Sequence, residues 1–246
     1  MEILAIANQK GGACKTTTSL ALGKILAESG KRVLLLDMDP QSSLTNIILN
    51  QELSQHKEYS FFALVNQQKP KIMPIKENLS LLPAHYTMSL IEKEGIKTGM
   101  GLLLQNFLSE LRDFDHVLID CPPYAGVLLV NALVAAHRVI IPLYLEPLSL
   151  HALPRMLANL ANIERGQGLK KAKHILPVCV DFRLNLHKKI LEDLKIQYPD
   201  YVSGDFIPLD AKLKDIDQLF FNHKKNKQSQ SRGLLCYEQF LKQWVA

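Results

Sequence analysis

The sequence predicts an α/β chain built on a doubly wound, mostly parallel sheet with helices on both faces. The first 36 residues run strand, loop, helix, strand, which is a βαβ unit and demands parallel pairing. The strand candidates are continuous apolar runs rather than alternating ones, as expected where a sheet is covered on both sides. Several of them are separated by stretches with helical spacing.

Taken in order, Ile3 to Ala7 is a short apolar run ending at Asn8 and a Gly-bearing loop, and reads as a buried strand. Thr16 to Glu28 carries Leu20, Leu22, Ile25 and Leu26 near helical spacing, with Gly30 as a stop. Val33 to Leu36 is a second buried strand that ends at Asp37. Further strands are expected at Leu79 to Leu82, His116 to Ile119, Val139 to Ile141 and Ile175 to Val180, with a last one at Ser203 to Ile207. Helices are expected around 101–112, 126–136 and 149–164, and a final helix over Gly233 to Val245. Residues 51–60 and 66–77 are polar or Pro-bearing and read as surface excursions, while the glycines at 95, 99 and 101 blur any period over 85–100. No repeat, low-complexity tract or domain boundary breaks the chain, so residues 1–246 are expected to form one domain.

Composition narrows the class. Apolar residues make up 47% of the chain, which argues against disorder, and no apolar run approaches the roughly 20 residues a membrane span needs. The N-terminus lacks the basic start, apolar run and cleavage site of a signal peptide. Cys14, Cys121, Cys179 and Cys236 are dispersed, which excludes CxxC-type metal or redox motifs and suits a reducing cytosol. The net charge is +5, and all of the excess lies from residue 170 onward, where 14 Lys and Arg face 9 Asp and Glu. Such a basic third suits either an acidic partner or a solvated lysine-rich face.

The chemistry-bearing segment is Gln9-Lys10-Gly11-Gly12-Ala13-Cys14-Lys15-Thr16-Thr17, between the first strand and first helix. Backbone N–H groups in such a loop form an anion nest, and the helix N-terminus adds partial positive charge. Gly11 and Gly12 let the backbone approach a phosphate closely. Lys15 would reach β- and γ-phosphates, and the Thr16 hydroxyl would bind Mg²⁺. Two acidic strand ends follow in order. VLLLDMDPQSS places Asp37 and Asp39 after the second strand, and HVLIDCPP ends a later strand at Asp120, a Walker B arrangement in which Asp120 holds Mg²⁺ directly or through water. Asp37 has a plainer reading as a cap for the following turn.

The ordinary G-x-x-x-x-G-K-[ST] pattern does not fit, because Gln9 and Cys14 occupy its glycine positions. The loop instead resembles the deviant K-G-G-x-G-K-[ST]-[ST] form of the ParA/MinD ATPases, a P-loop NTPase family. Segments LLPA (81–84), EPLSLHAL (146–153), FIPLDAKL (206–213) and SRGLLCY (231–237) extend the likeness to the ParA branch along nearly the whole chain. The resemblance implies slow ATP hydrolysis with Mg²⁺ in an ATP-sandwich homodimer. It makes Lys10 the signature lysine that reaches the partner's nucleotide and Asp39 the residue that positions the attacking water or the Mg²⁺ shell. Pro147 and Pro208 lie where the family cradles adenine, though Leu209 and Asp210 replace its common Arg-Asn. It also implies non-specific DNA binding, a stimulating ParB-like partner, and a cytoplasmic, nucleoid-associated location. Arg183, Lys188, Lys189, Lys212 and Lys214 are the DNA-contacting candidates, in two segments like the family's basic loops. The chain begins at its first strand, so no N-terminal helix-turn-helix is expected.

Cys14 departs from the family glycine; a left-handed backbone there would cost roughly 1–2 kcal/mol, and a thiol beside Lys15 and a helix N-terminus is expected to be acidic and oxidisable. Two other readings remain open at this level. One is a MinD-type, membrane-associated positioning ATPase, if the last helix uses its apolar face on lipid. The other is a nucleotide-gated binding module that barely hydrolyses. Iron-protein relatives need paired cysteines, and tyrosine autokinases need a C-terminal tyrosine cluster; only Tyr237 lies near this end.

Overall fold

The computed structural model describes residues 1–49, 57–94, 100–216, 220 and 231–244, without the side chains of residues 57, 94 and 214. The expected loop over 51–60 and the blurred stretch over 85–100 therefore lie partly outside the described residues.

Seven strands form one sheet. They are β1 (Glu2–Ile6), β2 (Val33–Asp37), β3 (Met73–Lys76), β4 (Leu79–Leu82), β5 (His116–Asp120), β6 (Arg138–Tyr144) and β7 (Ala172–Val178). Their spatial order is β3-β4-β2-β5-β1-β6-β7. All neighbours pair in parallel except the edge pair β3·β4, which is antiparallel. The strand at Met73–Lys76 corrects the expectation that 66–77 is an excursion. Pro74 hid it, because a proline is tolerated in a strand at a sheet edge.

The expected last strand at Ser203 to Ile207 does not form. Gly204 turns the chain at φ 98, and Ser203 bonds Asp205 at 2.6 Å across that turn. The segment then meets the end of β7 through a single parallel bridge, Val180 to Pro208, where proline has no N–H to extend a ladder.

The helices are α1 (Lys15–Glu28), α2 (Ser43–Leu49), α3 (Phe62–Val65), α4 (Met88–Glu94), α5 (Leu103–Glu110), α6 (Val127–Ala135), α7 (Pro147–Gln167), α8 (Asn185–Gln197) and α9 (Arg232–Trp244). Sequence reasoning missed α2, α3, α4 and α8, which are short or carry mixed surfaces. Two apolar clusters sandwich the sheet. Ile3 and Ala5 of β1 enter one, with α5, α6, α7 and α8; Leu4 and Ile6 enter the other, with α1, α2 and α9. The twofold alternation of strand side chains thus feeds both cores, which explains the unbroken apolar runs.

This winding brings the carboxyl ends of β1, β2 and β5 together. Ile6 of β1 is the register partner of Asp120, and Asp120 that of Asp37. In open α/β sheets ligands bind outside such strand ends.

Candidate functional site

The loop from Gln9 to Lys15 leaves β1 and enters α1. Gly12 and Cys14 both adopt left-handed backbone, at φ 73 and φ 58. The position where the family has glycine therefore does require φ > 0, and cysteine bears the strain. Gly11 and Gly12 are exposed, so their peptide groups face open space. Ala13 is buried beneath them.

Lys15 is buried at the first turn of α1, and its ammonium donates to the Lys10 carbonyl at 3.1 Å. Burial lowers its pKa, opposed by the nearby Asp120, Cys121 and Asp39. Thr16 Oγ1 donates to Asp120 Oδ2 at 2.7 Å, and Ser19 Oγ donates to Asp120 Oδ1 at 3.2 Å. Ser19 was not foreseen, yet it stands one helical turn after Thr16 and so shares its face. Thr17 is half-buried on the same first turn.

Asp37, Asp39 and Asp120 all titrate above the ordinary carboxylate range, chiefly through burial. Their environments differ. Asp37 is fully buried and accepts from the Thr45 amide at 2.9 Å, the Thr45 hydroxyl at 2.8 Å and the Asp39 amide at 3.1 Å. Those three donors tie the end of β2 to α2, which favours the plainer capping reading. Asp39 is half-buried and its carboxylate accepts only from Gln41 N–H at 3.0 Å among the described residues, so it keeps capacity toward the loop.

Lys10 turns back within its own protomer. It forms an ion pair with Glu146 and donates to Ser149 Oγ at 3.1 Å. Glu146 precedes α7 and Pro147 begins it, so this helix start lies beside the loop. Pro208 bridges Val180, and the adjacent Cys179 touches Cys14 across the loop's base, with sulfurs 3.6 Å apart. The structure thus gathers Lys10, Gly11, Gly12, Ala13, Cys14, Lys15, Thr16, Thr17, Asp39, Asp120 and the segments of Pro147 and Pro208 around one strand-end crevice. The expectation of an acidic Cys14 is corrected: its contact with Cys179 and burial push its pKa up, well above that of an ordinary thiol. No sequence signal pointed to Cys179.

Asp210, in place of the family asparagine, has a structural tie. Its carboxylate accepts from Ser231 Oγ at 2.7 Å and Gly233 N–H at 2.9 Å, anchoring the start of α9. Gly233 packs so tightly on Leu213 that an added Cβ would lie 2.3 Å from its Cδ1.

The basic candidates stand apart from this crevice in chemistry. Arg183 is exposed but forms a two-pronged pair with Asp181, whose carboxyl drops to about 2 through the Arg183 hydrogen bonds. Lys188 and Lys189 are exposed on α8, and Lys212 is exposed on a 3-10 turn over Ala211–Asp215. The Lys214 side chain lies outside the described residues.

Comparison with known proteins follows the same lines. A family model described as an AAA domain matches residues 1–173. Sporulation initiation inhibitor protein Soj of Bacillus subtilis is 34% identical over 221 residues, 87% of each chain. Chromosome partitioning protein ParA of Caulobacter vibrioides is 30% identical, over 87% of this chain and 83% of its own. Among solved structures, cobyrinic acid a,c-diamide synthase from Mycobacterium smegmatis, with bound ADP and magnesium, superposes with TM-score 0.82 at 31% identity, covering 100% of this chain and 96% of that one. A plasmid partition protein from Borrelia burgdorferi bound to AMPPNP gives TM-score 0.81 at 25% identity, covering 99% and 98%. With the deviant loop, the two acidic strand ends and these likenesses together, the chain belongs to the ParA/MinD family of P-loop ATPases.

Proposed function

We propose that this chain is a ParA-type partitioning ATPase, one domain over residues 1–246, that binds ATP and Mg²⁺ and hydrolyses ATP slowly. The carrying observation is the convergence of the 9–17 loop, Asp39 and Asp120 on one crevice, with Thr16 and Asp120 oxygens 2.7 Å apart. Chromosome-partitioning names among the sequence relatives support the cellular role over the synthase name of one solved neighbour.

The residues fit the ligand. Two exposed glycine peptides and a helix N-terminus suit a phosphate chain, and Lys15 adds a buried cation. Among the described residues no group of three or more His, Cys, Asp or Glu forms a closed metal cage. Thr16 and Asp120 instead offer two hard oxygens, as suits Mg²⁺, which usually takes its other ligands from phosphate and water. An ion held by these two oxygens would supply charge neutralisation for the transferring phosphoryl group. Lys15 binds the phosphates, Asp120, itself held by Ser19, fixes the Thr16 hydroxyl, and Asp39 orients the attacking water. Lys10 must leave Glu146 and Ser149 to reach a partner's nucleotide, so dimerisation competes with an internal ion pair.

The dimer binds DNA without sequence preference through Arg183, Lys188, Lys189, Lys212 and Lys214, and a ParB-like partner stimulates hydrolysis. The setting is cytoplasmic and nucleoid-associated. The MinD-type alternative loses support from α9, whose Tyr237, Phe240 and Leu241 are buried in the core rather than offered to lipid. Among the described residues no helix is long and apolar enough to cross a membrane.

The test is binding to unrelated duplexes with ATP and with ADP, repeated for the Arg183→Ala/Lys212→Ala double variant. ATP-dependent binding should weaken steeply with salt and ignore sequence, and each lost phosphate contact should flatten the salt slope by roughly one unit. Equal binding in both nucleotide states would remove the switch. Binding to anionic vesicles but not DNA would favour the membrane reading.

A further inference from the structure

Cys14 and Cys179 are far apart in sequence, yet their sulfurs stand 3.6 Å apart at the base of the phosphate loop. Cys14 is the cap residue immediately before Lys15, and Cys179 follows the last residue of β7. Both are non-glycine residues in left-handed backbone, at φ 58 and φ 55. Backbone strain of this kind collects where a local geometry is put to use. Both side chains are half-buried, so small reagents can reach them. Cys121, in contrast, is buried; Cys236 is half-buried on α9, away from the loop's base where the two sulfurs meet.

We propose that Cys14 and Cys179 form a dithiol modification site, oxidised by a small-molecule disulfide of the glutathione type to an intramolecular disulfide that ties the phosphate loop to β7 and opposes nucleotide binding. The chemistry balances. One protein thiol loses its proton and attacks a reagent sulfur, releasing one reagent thiol and leaving a mixed disulfide. The second protein thiol loses its proton, attacks the protein-side sulfur and expels the second reagent thiol. Two protein thiols are oxidised to one S–S bond, and one reagent disulfide is reduced to two thiols. The second step is favoured because the two sulfurs already touch.

The coupling to nucleotide follows from position and rests on the ATP-binding reading above. A disulfide bond is about 2.05 Å long, so the sulfurs must approach by roughly 1.5 Å. Cys14 is joined directly to Lys15, whose ammonium and amide belong to the phosphate nest. Drawing Cys14 toward β7 displaces that nest, and by linkage a nucleotide that holds the nest opposes closure equally.

The experiment treats the reduced protein with excess glutathione disulfide, then alkylates it under denaturing conditions and reads it by mass spectrometry. A Cys14–Cys179 cross-linked peptide should appear, while Cys121 remains alkylated and Cys236 enters no intramolecular cross-link. Affinity for a fluorescent ATP analogue should fall about tenfold on oxidation and return with dithiothreitol. Saturating ATP and Mg²⁺ should shift the glutathione ratio for half-closure by a similar factor. Cys179→Ser should form no cross-link, and its nucleotide affinity should ignore the oxidant. Stable glutathione adducts without a cross-link, or thiols that remain unreacted, would overturn the site. A cross-link that leaves nucleotide affinity unchanged would overturn the coupling. Failure of the reduced protein to bind the analogue would instead sink the ATP-binding reading, while the cross-link is still scored by mass.

Discussion

Asp37 and Asp39 stand two positions apart and meet different surroundings. Asp37 is saturated by Thr45 and the Asp39 amide, whereas Asp39 is half-buried with one backbone donor among the described residues. Asp39→Ala should therefore retain ATP binding and dimerisation but lose turnover, since the loss falls on water positioning. Lys15→Ala should lose nucleotide binding itself, because the one buried cation of the loop is gone. Titration with a fluorescent analogue and a phosphate-release assay separate the two, and normal hydrolysis by Asp39→Ala would refute its role. Cys14 gives a second residue-level expectation. Its φ of 58 suits glycine, so Cys14→Gly should be more stable than Cys14→Ala by about 1 kcal/mol, the reverse of the order in a helix interior. Paired urea melts of the two variants read the difference directly, and Ala at or above Gly would show that the strain is illusory.

Among the elements, α9 shows most plainly how a surface is spent. Its apolar face covers the sheet, and His174 of β7 lies in that contact, its ring 4.9 Å from Phe240 and 5.4 Å from Trp244. Burial lowers the His174 pKa to about 4, partly offset by Asp205. The unfolded chain then binds the proton more readily between about pH 6.5 and 4, so this contact loses stability as pH falls through that window. Between pH 7 and pH 5 the loss from this one group should be about 2 kcal/mol. His174→Gln, neutral throughout, should show a shallower decline in urea-melt stability over the same range. Identical slopes would mean that the histidine finds a stabilising partner when protonated. Elsewhere Glu92 of α4 accepts from the first amides of α6, Val127 and Leu128, both at 2.9 Å. That cap fixes the helix that follows the Asp120-Cys121-Pro122-Pro123 turn.

At the scale of the whole molecule, the crevice opens where the loop glycines are exposed. A Cβ added at Gly11 would meet nothing within 4 Å, and its φ is outside the left-handed region. Gly11→Val should therefore fold with an unchanged melting temperature. If a second subunit faces the loop across ATP, that valine will obstruct it. Light scattering should show wild type as a dimer with ATP and Mg²⁺ and Gly11→Val as a monomer. A Gly11→Val dimer would place the facing subunit elsewhere, and a wild-type monomer at saturating ATP would remove the sandwich altogether. The basic excess from residue 170 onward would then be doubled in such a dimer, which is where a modest +5 per chain becomes a useful field.

The sequence alone determined the parallel α/β class, because buried strands must be apolar on both faces and βαβ order allows no other pairing. It also placed the 9–17 loop, Asp39 and Asp120 at strand ends, where chain direction brings them to one edge of the sheet. Position 14 was flagged by its missing glycine, and the structure supplied the left-handed backbone there. Tertiary structure decided what depends on distant segments meeting. It paired Cys14 with Cys179, Lys10 with Glu146, and Asp210 with the start of α9, contacts between residues with no shared local pattern. It divided Asp37 from Asp39 by supplying Thr45 to only one of them. It also turned a proline-bearing excursion into the antiparallel edge strand β3 and reduced an expected last strand to one bridge. For Cys14, Lys10 and Asp210 the deciding partners lie far along the chain, where local propensity leaves no trace of them.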